Sequence, residues 1–560
     1  MKKGLFKRCP KSKRIVGIDT SSIWCKIFFP LVGFAALVWV LIRVIPKPSR
    51  ITYPCQRAAF PIALAFLAFL DSITGITGIY KIIKSKLPVK TALKSIISVA
   101  VLCFSVYFFV PVMFTGCGDT SGRNENLQVA TLPPAEEPFL YSTEEDIDEI
   151  SAEPDVLPET LDFNSRENIL ANYKPADGVG IFPGRVVYAR NPNAVKFNGG
   201  GQWWEDANTI PEEVQKMFTQ SLYSLTGKDN SADAWDALFR DFNGDGEPYK
   251  KGEKIVIKLN MNQDGGGQTG SIHIPAPQLA EALVRELIHV VGADASDITL
   301  TDPSRSIGDA TYDYFMNNAD PEMKNLRFVA QNRIKPEADQ NEPLHFADGQ
   351  IGYVCTDYTA AKYLINLSVF RPHNAFGITL AGKNHFGSVQ IGDGNSFTPQ
   401  NMHGSWENGY GEYSHLTDLI AFRHLGGKTL LYIIDGLYTS YHQGDGNVRK
   451  MQSFGDEYPA SLFISQDPCA IDSVAYDYLN IELKINNKFE AQMEANAFDN
   501  YIIEAAYADR PPSNTDYDPN KTGIRVSLGA FETWNNDTDK QYSRNLGKDY
   551  GIELIQIAID

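Results

Sequence analysis

The sequence has 560 residues, a length that predicts two or more structural units. Its formal charge of −17 is unevenly distributed: residues 1–116 hold 17 of the 51 Lys and Arg, but only two of the 68 Asp and Glu. The rest of the chain is therefore strongly acidic. This charge argues against nucleic acid or an anionic membrane surface as a partner of that part.

The basic region, residues 1–116, contains three apolar stretches, at residues 27–42, 58–80 and 95–114. The second is interrupted by an aspartate, whereas the third is uncharged for about twenty residues, the length that spans a bilayer. The region therefore predicts two to three transmembrane helices. Clusters of lysine before the first and third stretches indicate cytoplasmic segments. We expect a protein of the bacterial inner membrane whose later residues face the periplasm.

Cys117 follows the third stretch directly, after Thr115 and Gly116. Small residues before a cysteine resemble the cleavage box of bacterial lipoproteins, so lipidation of Cys117 is one hypothesis. A plain cysteine at the end of a helix is the other. Lipidation would leave the later residues anchored by lipid rather than by a helix.

The cysteines restrict the cofactors. No Cys-x-x-Cys pair exists, so an iron–sulfur cluster held by such motifs is excluded within this chain. After residue 117 only Cys355 and Cys469 remain. They form either a disulfide or two buried, unpaired thiols.

Residues 117–180 are rich in Pro, Glu, Asp and Ser, and such a composition cannot bury a core. This stretch predicts an acidic, disordered linker, and residues 181–560 are expected to form a globular domain. The domain alternates short apolar runs with helical patterns. This alternation predicts an α/β fold with a mostly parallel sheet flanked by helices.

The predicted elements of the domain are short. Apolar runs predict strands at residues 185–190, 254–259, 298–301, 326–330, 363–367, 429–434 and 462–465. Helical patterns cover residues 211–225, 232–239, 277–291, 413–424 and 468–479. Loops after parallel strands meet at one edge of a sheet, so those beginning near Asn260, Asp302, Ser368 and Asp435 are expected to converge.

Residues 364–387 are the densest polar segment of the domain. An apolar strand leads into hydrogen-bonding side chains separated by glycines: Arg371, His373, Asn374, Thr379, Lys383, Asn384 and His385. A core has no use for so many polar groups unless something binds there. The segment therefore predicts a site.

All nine histidines lie between His273 and His442. His373 and His385 are candidates for the site, with His373 as an acid/base group or ligand. Lys383 would neutralise the charge of a carboxylate or phosphate. His424 is instead expected to end the helix at 413–424, and His415 to lie on its face.

Two aspartates are further candidates. Asp435 ends a predicted strand before glycine, where it could bind a metal, a hydroxyl or a lysine, or else the backbone of its own turn. Asp472 lies among apolar residues one turn into a predicted helix, and so is expected to face a polar partner.

Asp241, Asn243 and Asp245 match the first half of a calcium loop, but glycine occupies the twelfth position, where an acid is expected. A divalent metal is therefore one interpretation, and an Asx-rich turn before the next strand is the other. The glycine-rich residues 260–267 that follow the strand give only a weak indication of phosphate binding.

Together these segments resemble the domain of unknown function 362, an uncharacterised bacterial and archaeal α/β family. The likeness covers roughly residues 184–480 and rests on four ordered motifs: Gly-Glu-Lys-Ile-Val-Ile-Lys258-Leu-Asn260, Leu279 to Ile288, Arg371-Pro-His373 with Thr379-x-x-x-Lys383-Asn384-x-x-Gly387, and Asp435-Gly436 with Asp467-Pro468-x-Ala470-x-Asp472. The family usually has lysine where Arg371 stands, which keeps the charge but changes the geometry. Some relatives carry ferredoxin-like cysteine motifs that this sequence lacks. The resemblance implies a fold and a site, with no assigned activity.

We therefore expect a membrane-tethered, extracytoplasmic domain that binds a small anionic ligand or a metal. It would be either an enzyme, with His373 and Lys383 as catalytic groups, or a non-catalytic binding or assembly module of the cell envelope, with a cell-envelope protein as its partner. The predicted ligand-binding residues are Arg371, Thr379, Asn384, His385, Asn260, Asp435 and Asp472.

Overall fold

The computed structural model describes the backbone of two short N-terminal strands and residues 165–559. Within 165–559 it leaves out residues 262–273, 375, 392–396, 398–408 and 491–496. β1 (Phe6–Arg8) and β2 (Ile15–Ile18) pair antiparallel within a first unit, residues 1–150. The three apolar stretches and Cys117 lie outside the described residues. Within the described part, no helix is both long and apolar enough to cross a membrane.

An eight-stranded sheet organises the second unit, residues 151–560. Its strands lie in the order β15 (Glu553–Ala558), β3 (Arg185–Arg190), β14 (Ser461–Ser465), β13 (Thr429–Gly436), β9 (Tyr363–Val369), β4 (Ile255–Leu259), β5 (Ile298–Asp302) and β6 (Arg327–Ala330). Only β14 is antiparallel to its neighbours, and every other adjacent pair is parallel. The predicted mostly parallel sheet is confirmed.

Helices flank this sheet. They are α1 (Arg166–Asn172), α2 (Pro211–Thr226), α3 (Ser231–Asn243), α4 (Pro277–His289), α5 (Asp309–Met316), α6 (Thr356–Ala360), α7 (Ala381–Asn384), α8 (His415–Ala421), α9 (Pro468–Ile485), α10 (Asn487–Glu490) and α11 (Asn500–Ala506). The longest, α9, begins where the Asp467 side chain accepts hydrogen bonds from the amides of Cys469 and Ala470, with proline in the first turn. The α/β class of the domain is therefore confirmed.

The two faces of the sheet bury separate apolar clusters. Val256 and Leu364 belong to the cluster that includes residues of α9 and α11, whereas Ile257 and Ile365 belong to the cluster of α2 and α4. Neighbouring residues of one strand thus contribute to opposite clusters, because side chains alternate across a strand.

Two smaller sheets surround the main one. β7 (Ala338–His345), β8 (Ile351–Cys355) and β12 (Val389–Ile391) form a three-stranded sheet, and β10 (Arg371–His373) pairs with β11 (Gly377–Thr379) as a hairpin. The sequence did not predict these strands. β7 is mostly polar and only one of its eight residues is buried, so it lacks the apolar run that signals a strand.

The structure corrects two predictions about the helix at 413–424. α8 ends at Ala421, because Phe422 adopts an extended backbone. His424 therefore does not end the helix, and its Nε2 lies 3.0 Å from Oε2 of Glu342 instead. His415 is the first residue of α8, with Nε2 2.8 Å from Oδ2 of Asp348.

Helix α1 lies inside the stretch that composition predicted as a linker. Ile169 is fully buried, and Nε of Arg166 lies 2.8 Å from Oδ2 of Asp499. The packed structure therefore extends at least as far as Ser165, before the predicted start at residue 181. Elsewhere in the domain, Cys355 and Cys469 are both buried and free, so they are two thiols rather than a disulfide.

Candidate functional site

Polar residues at the carboxyl ends of neighbouring strands come together. Nη2 of Arg371, just after β9, lies 3.5 Å from Oδ1 of Asn260, just after β4. The Asp302 carboxylate at the end of β5 accepts a hydrogen bond from the amide of Met261 at 2.9 Å. This edge of the sheet is where sites of open α/β sheets form.

One face of the central strands is polar near this edge. Lys258 and Asn260 in and after β4, and Asn366 and Ser368 in β9, are all buried and occupy every second position. The register pairs Lys258 with Asn366 across the two strands. Apolar residues fill the alternate positions. In the sequence the two strands therefore look like nearly continuous apolar runs, although one face of each is polar near this edge.

Lys258 forms a buried ion pair that sequence reasoning missed. Its Nζ lies 3.2 Å from Oδ2 of Asp302 and donates a hydrogen bond to Oδ1 of Asn384 at 3.1 Å. Burial lowers the pKa of Lys258, while the Asp302 carboxylate raises it. The sequence did contain a signal for this ion pair, namely a lysine inside an otherwise apolar strand, because a buried charge needs a partner.

Asn384 links this pair to His385. The Asn384 amide donates to Oδ1 of Asn366 at 2.8 Å, and Nδ2 of Asn366 lies 3.2 Å from Nε2 of His385. Nε2 therefore accepts, which leaves the ring proton on Nδ1. Burial and the nearby Lys258 charge lower the pKa of His385 to about 3, so the imidazole is neutral. His385 thus takes part in the hydrogen bonds that support this region, and its predicted role in binding a ligand stays a prediction.

Lys383 and Arg371 bring two positive charges into this buried region. Both side chains are almost inaccessible to solvent, at 8% and 1% exposure. Burial lowers the pKa of Lys383 to about 7, with further lowering by the charges of Arg371 and Arg305. Burial also lowers the pKa of Arg371 to about 9, so it stays protonated at neutral pH. The Lys383 ammonium lies 5.1 Å from the centre of the Phe376 ring, within cation–π range.

Asp472 fixes the turn that carries Lys383. Its carboxylate accepts hydrogen bonds from the amides of Ala381 at 2.8 Å and Gly382 at 2.7 Å, and from the Tyr501 hydroxyl at 2.7 Å. It therefore does have the polar partners that its position predicted. Burial raises the pKa of Asp472 to about 6. The geometry makes Asp472 a positioning residue.

Asp435 has a comparable structural use. Its carboxylate accepts hydrogen bonds from the amides of Ala276 at 2.6 Å and Leu437 at 2.9 Å. The first lies directly before α4 and the second in the turn after β13. Burial raises the pKa of Asp435 to about 6. The sequence left several roles open for Asp435, and the structure shows one of them, the hydrogen bond to the backbone of its own turn.

The β10–β11 hairpin presents the remaining candidates. Arg371 and His373 are two residues apart, and Thr379 is the cross-strand partner of Arg371, so all three lie on one face of the hairpin. Nδ1 of His373 accepts a hydrogen bond from the Phe376 amide at 3.1 Å. In the neutral ring the proton is therefore on Nε2. His373 and Thr379 are both buried.

The residues of the calcium-like loop lie elsewhere, at the end of α3. Nδ2 of Asn243 donates to the Glu247 carbonyl, and Oδ1 of Asp245 accepts from the Glu247 amide at 3.0 Å. Oδ2 of Asp241 accepts from Gln466 at 2.9 Å. Within the residues described, no group of three or more His, Cys, Asp or Glu is placed to hold a metal ion.

Comparison with known proteins identifies the family. Residues 255–477 match the model of a family described as Domain of unknown function (DUF362). This match spans β4 to α9 and contains Lys258, Arg371, Lys383 and Asp472. No curated protein matches the chain. The resemblance to this family that the sequence indicated is thus confirmed for residues 255–477.

Proposed function

We propose that the domain binds a small anionic ligand at the site formed by Arg371, Lys383 and His373. One observation carries this proposal: Arg371 and Lys383 are both buried, at 1% and 8% exposure, and burial together with the charge of Arg371 lowers the pKa of Lys383. Burying like charges together costs free energy, and a bound anion offsets that cost. Sites that recognise carboxylates or phosphates commonly use arginine and lysine in this way.

The charge balance favours an anion over a metal cation. Lys258 already has Asp302 as its counter-ion, and Asp435 and Asp472 accept hydrogen bonds from main-chain amides. Within the residues that the structure describes, these carboxylates bond to Lys258 or to main-chain amides, and Arg371, Lys383 and Arg305 contribute positive charge. A divalent cation would be repelled by this arrangement.

The site also has the groups for proton transfer. A lysine with a pKa near 7 exchanges a proton readily at neutral pH, as acid/base catalysis requires. Arg371 stays charged and would hold the anion, and Nε2–H of His373 would donate to it. Under this proposal Lys383 and His373 are the catalytic candidates, and the activity is a proton-transfer step on an anionic substrate.

The proposal is tested by calorimetric titration of the purified full-length protein with sulfate, an anion whose charge is constant between pH 6 and 9. Each charge-assisted hydrogen bond contributes about 1.5–3 kcal/mol, so Lys383→Met and Arg371→Met should each weaken binding about tenfold or more. Wild-type affinity in both variants would refute the proposed site.

Lys428→Met is the matched control. Lys428 is also a buried lysine, but its Nζ donates to the carbonyls of Tyr358 and Ala361 at 2.8 and 2.6 Å. The control should lose stability and keep its affinity for sulfate. An equal loss of affinity in Lys428→Met would show that the effect is one of general destabilisation.

We further propose that the N-terminal region tethers this domain to the bacterial inner membrane, with the domain in the periplasm. The proposal rests on the apolar stretch at residues 95–114 and the lysines that precede it. Protease treatment of spheroplasts should digest the domain, and alkaline carbonate should leave the chain in the membrane fraction. Protection from protease would contradict this orientation. Retention of the Cys117→Ala variant in the membrane would distinguish a helical tether from a lipid anchor.

A further inference from the structure

A cavity lies at the β15 edge of the eight-stranded sheet. β15 is four strands away from β9, or about 19 Å at the usual strand spacing, so this cavity is separate from the anion site. Its volume is about 610 Å3, within the roughly 300–1,000 Å3 typical of binding pockets. The exposed Gln556 and Ala558 of β15 form one wall.

Aromatic rings and cations form the other walls. Tyr188 and Tyr478 stack with ring centres 4.4 Å apart, and Phe454 adjoins Tyr478. The guanidinium of Arg190 lies 5.6 Å from the Phe454 ring, and the ammonium of Lys540 lies 5.9 Å from the Tyr478 ring. The cavity is therefore apolar at its centre and positive at two points.

Two polar atoms in these walls lack hydrogen-bond partners. Nε of Arg190 and Oγ of Ser453 are both buried, and neither has a partner in the described part of the chain. An N–H and a hydroxyl in this state cost free energy that a ligand carboxylate would recover. Arg190 and Lys540 make this cavity positive within a globular part that is otherwise strongly acidic, and they attract an acidic side chain at this point.

The outer edge of β15 is hydrogen-bonded to another part of the chain at Leu554 and exposed further along, at Gln556 and Ala558. The amides of Glu553 and Ile559 donate to carbonyls of the β3 side, so odd-numbered residues face inward. At Leu554 the outward main-chain groups bond to the Asn545 side chain, at 3.0 Å in both directions. By the same alternation the main-chain groups of Gln556 and Ala558 point outward, beside the cavity.

We propose that this surface binds an extended, acidic peptide segment of a partner protein, which adds as a strand to β15 at Gln556 and Ala558. Main-chain hydrogen bonds supply affinity, and side-chain pockets supply specificity, in this type of recognition. The cavity accepts side chains from alternate positions of the added strand.

The register defines the peptide sequence. Ala558 pairs with Arg190 and Gln556 pairs with Tyr188. An acidic side chain beside Ala558 would reach Arg190, Ser453 and Lys540, while an aromatic or large apolar side chain beside Gln556 would contact Tyr188 and Tyr478. The partner segment therefore carries an acid and an aromatic residue two positions apart.

The test is fluorescence anisotropy of the full-length protein with a labelled peptide, Thr-Val-Glu-Thr-Phe-Thr-Val. Saturable binding is expected, with at least a tenfold loss in Lys540→Glu, because a charge-assisted hydrogen bond is replaced by repulsion. Ala558→Pro removes one outward N–H without breaking a bond to β3, and should also weaken binding. Lys228→Glu changes an exposed lysine elsewhere and should bind like wild type.

A second peptide provides a control that needs no protein variant. A peptide with Glu and the following Thr exchanged places the acid on the opposite face of the strand, and should bind at least tenfold more weakly. This comparison uses only the wild-type protein and does not depend on the folding of any variant. Absence of binding, equal binding of both peptides, or wild-type affinity in Ala558→Pro would each overturn the proposal.

Discussion

The carboxylate of Asp472 accepts a hydrogen bond from the main-chain amide of Gly382, the residue directly before Lys383, at 2.7 Å. The bond joins the second turn of α9 to the short helix α7. A Cβ atom at position 382 would lie 2.6 Å from the Tyr501 ring, so the approach also requires glycine. Asp472 therefore sets the position of the turn that carries Lys383.

Asp472→Asn is predicted to lower both stability and anion affinity. The amide has one acceptor oxygen instead of two, so a buried donor loses its partner at a cost of about 1–3 kcal/mol. Urea denaturation and sulfate titration measure the two effects. Asp467→Asn is the control, because Asp467 is a buried carboxylate that accepts hydrogen bonds from four main-chain amides, and none of these four belongs to a proposed site residue. Sulfate affinity should fall only in Asp472→Asn; an unchanged affinity there would exclude the positioning role.

Sulfate binding is predicted to weaken as the pH rises through about 7. The anion favours the protonated form of Lys383, and that form is lost above its pKa of about 7. In Lys383→Met the affinity should be lower and nearly independent of pH between 6 and 9. A wild-type affinity that is constant over this range would contradict the assigned role of Lys383.

The same lysine affects stability without ligand. Its pKa is about 7 in the folded protein and 10.5 as a free side chain, so between these values the unfolded chain binds more protons. The titration of Lys383 therefore raises the free energy of unfolding as the pH rises from 7 toward 10.5. Relative to wild type, Lys383→Met should be most stable near pH 7 and lose that advantage by about pH 10. Urea denaturation at several pH values measures the difference, and a difference that grows with pH would show the opposite sign.

His385 is predicted to make the domain sensitive to acid. Its pKa is about 3 in the fold against 6.5 for a free imidazole, so the unfolded chain binds the additional proton and stability is lost as the pH falls below 6.5. His385→Gln, which keeps an acceptor for Asn366, should reduce the loss between pH 7.5 and 5 by up to about 2 kcal/mol. Denaturation at the two pH values tests this, with His289→Gln, a partly exposed histidine, as control.

Lys258→Met is predicted to destabilise the domain by about 3–5 kcal/mol, because it leaves Asp302 buried without its counter-ion. Asp302→Asn in the same background should recover part of that loss, because the remaining buried charge is removed. A double-mutant cycle from urea denaturation gives the coupling. Additive effects of the two substitutions would show that the 3.2 Å pair does not act as a unit.

The sequence located the strands of the central sheet well, and its failures have physical causes. β3 begins and ends at the predicted residues, and β4, β5, β9, β13 and β14 agree to within two residues at either end. Their apolar runs are local signals of burial on both faces. β15 was missed because its Gln556 and Ala558 are exposed at the sheet edge, and α8 was predicted too long because local pattern does not show where the chain turns.

Charge segregation, the strand order along the chain and the family motifs were determined by the sequence itself, because they depend on composition and short-range spacing. The polar residues of 364–387 predicted a site, which stays a prediction, and the structure shows that most of them are buried. Only the tertiary structure decided which partners they bond to. Lys258 and Asn384 are 126 residues apart in the chain, yet they share a hydrogen bond. Buried polar groups take whichever partners the fold brings to them, so Asp472 bonds to the turn that carries Lys383, and His385 bonds to Asn366.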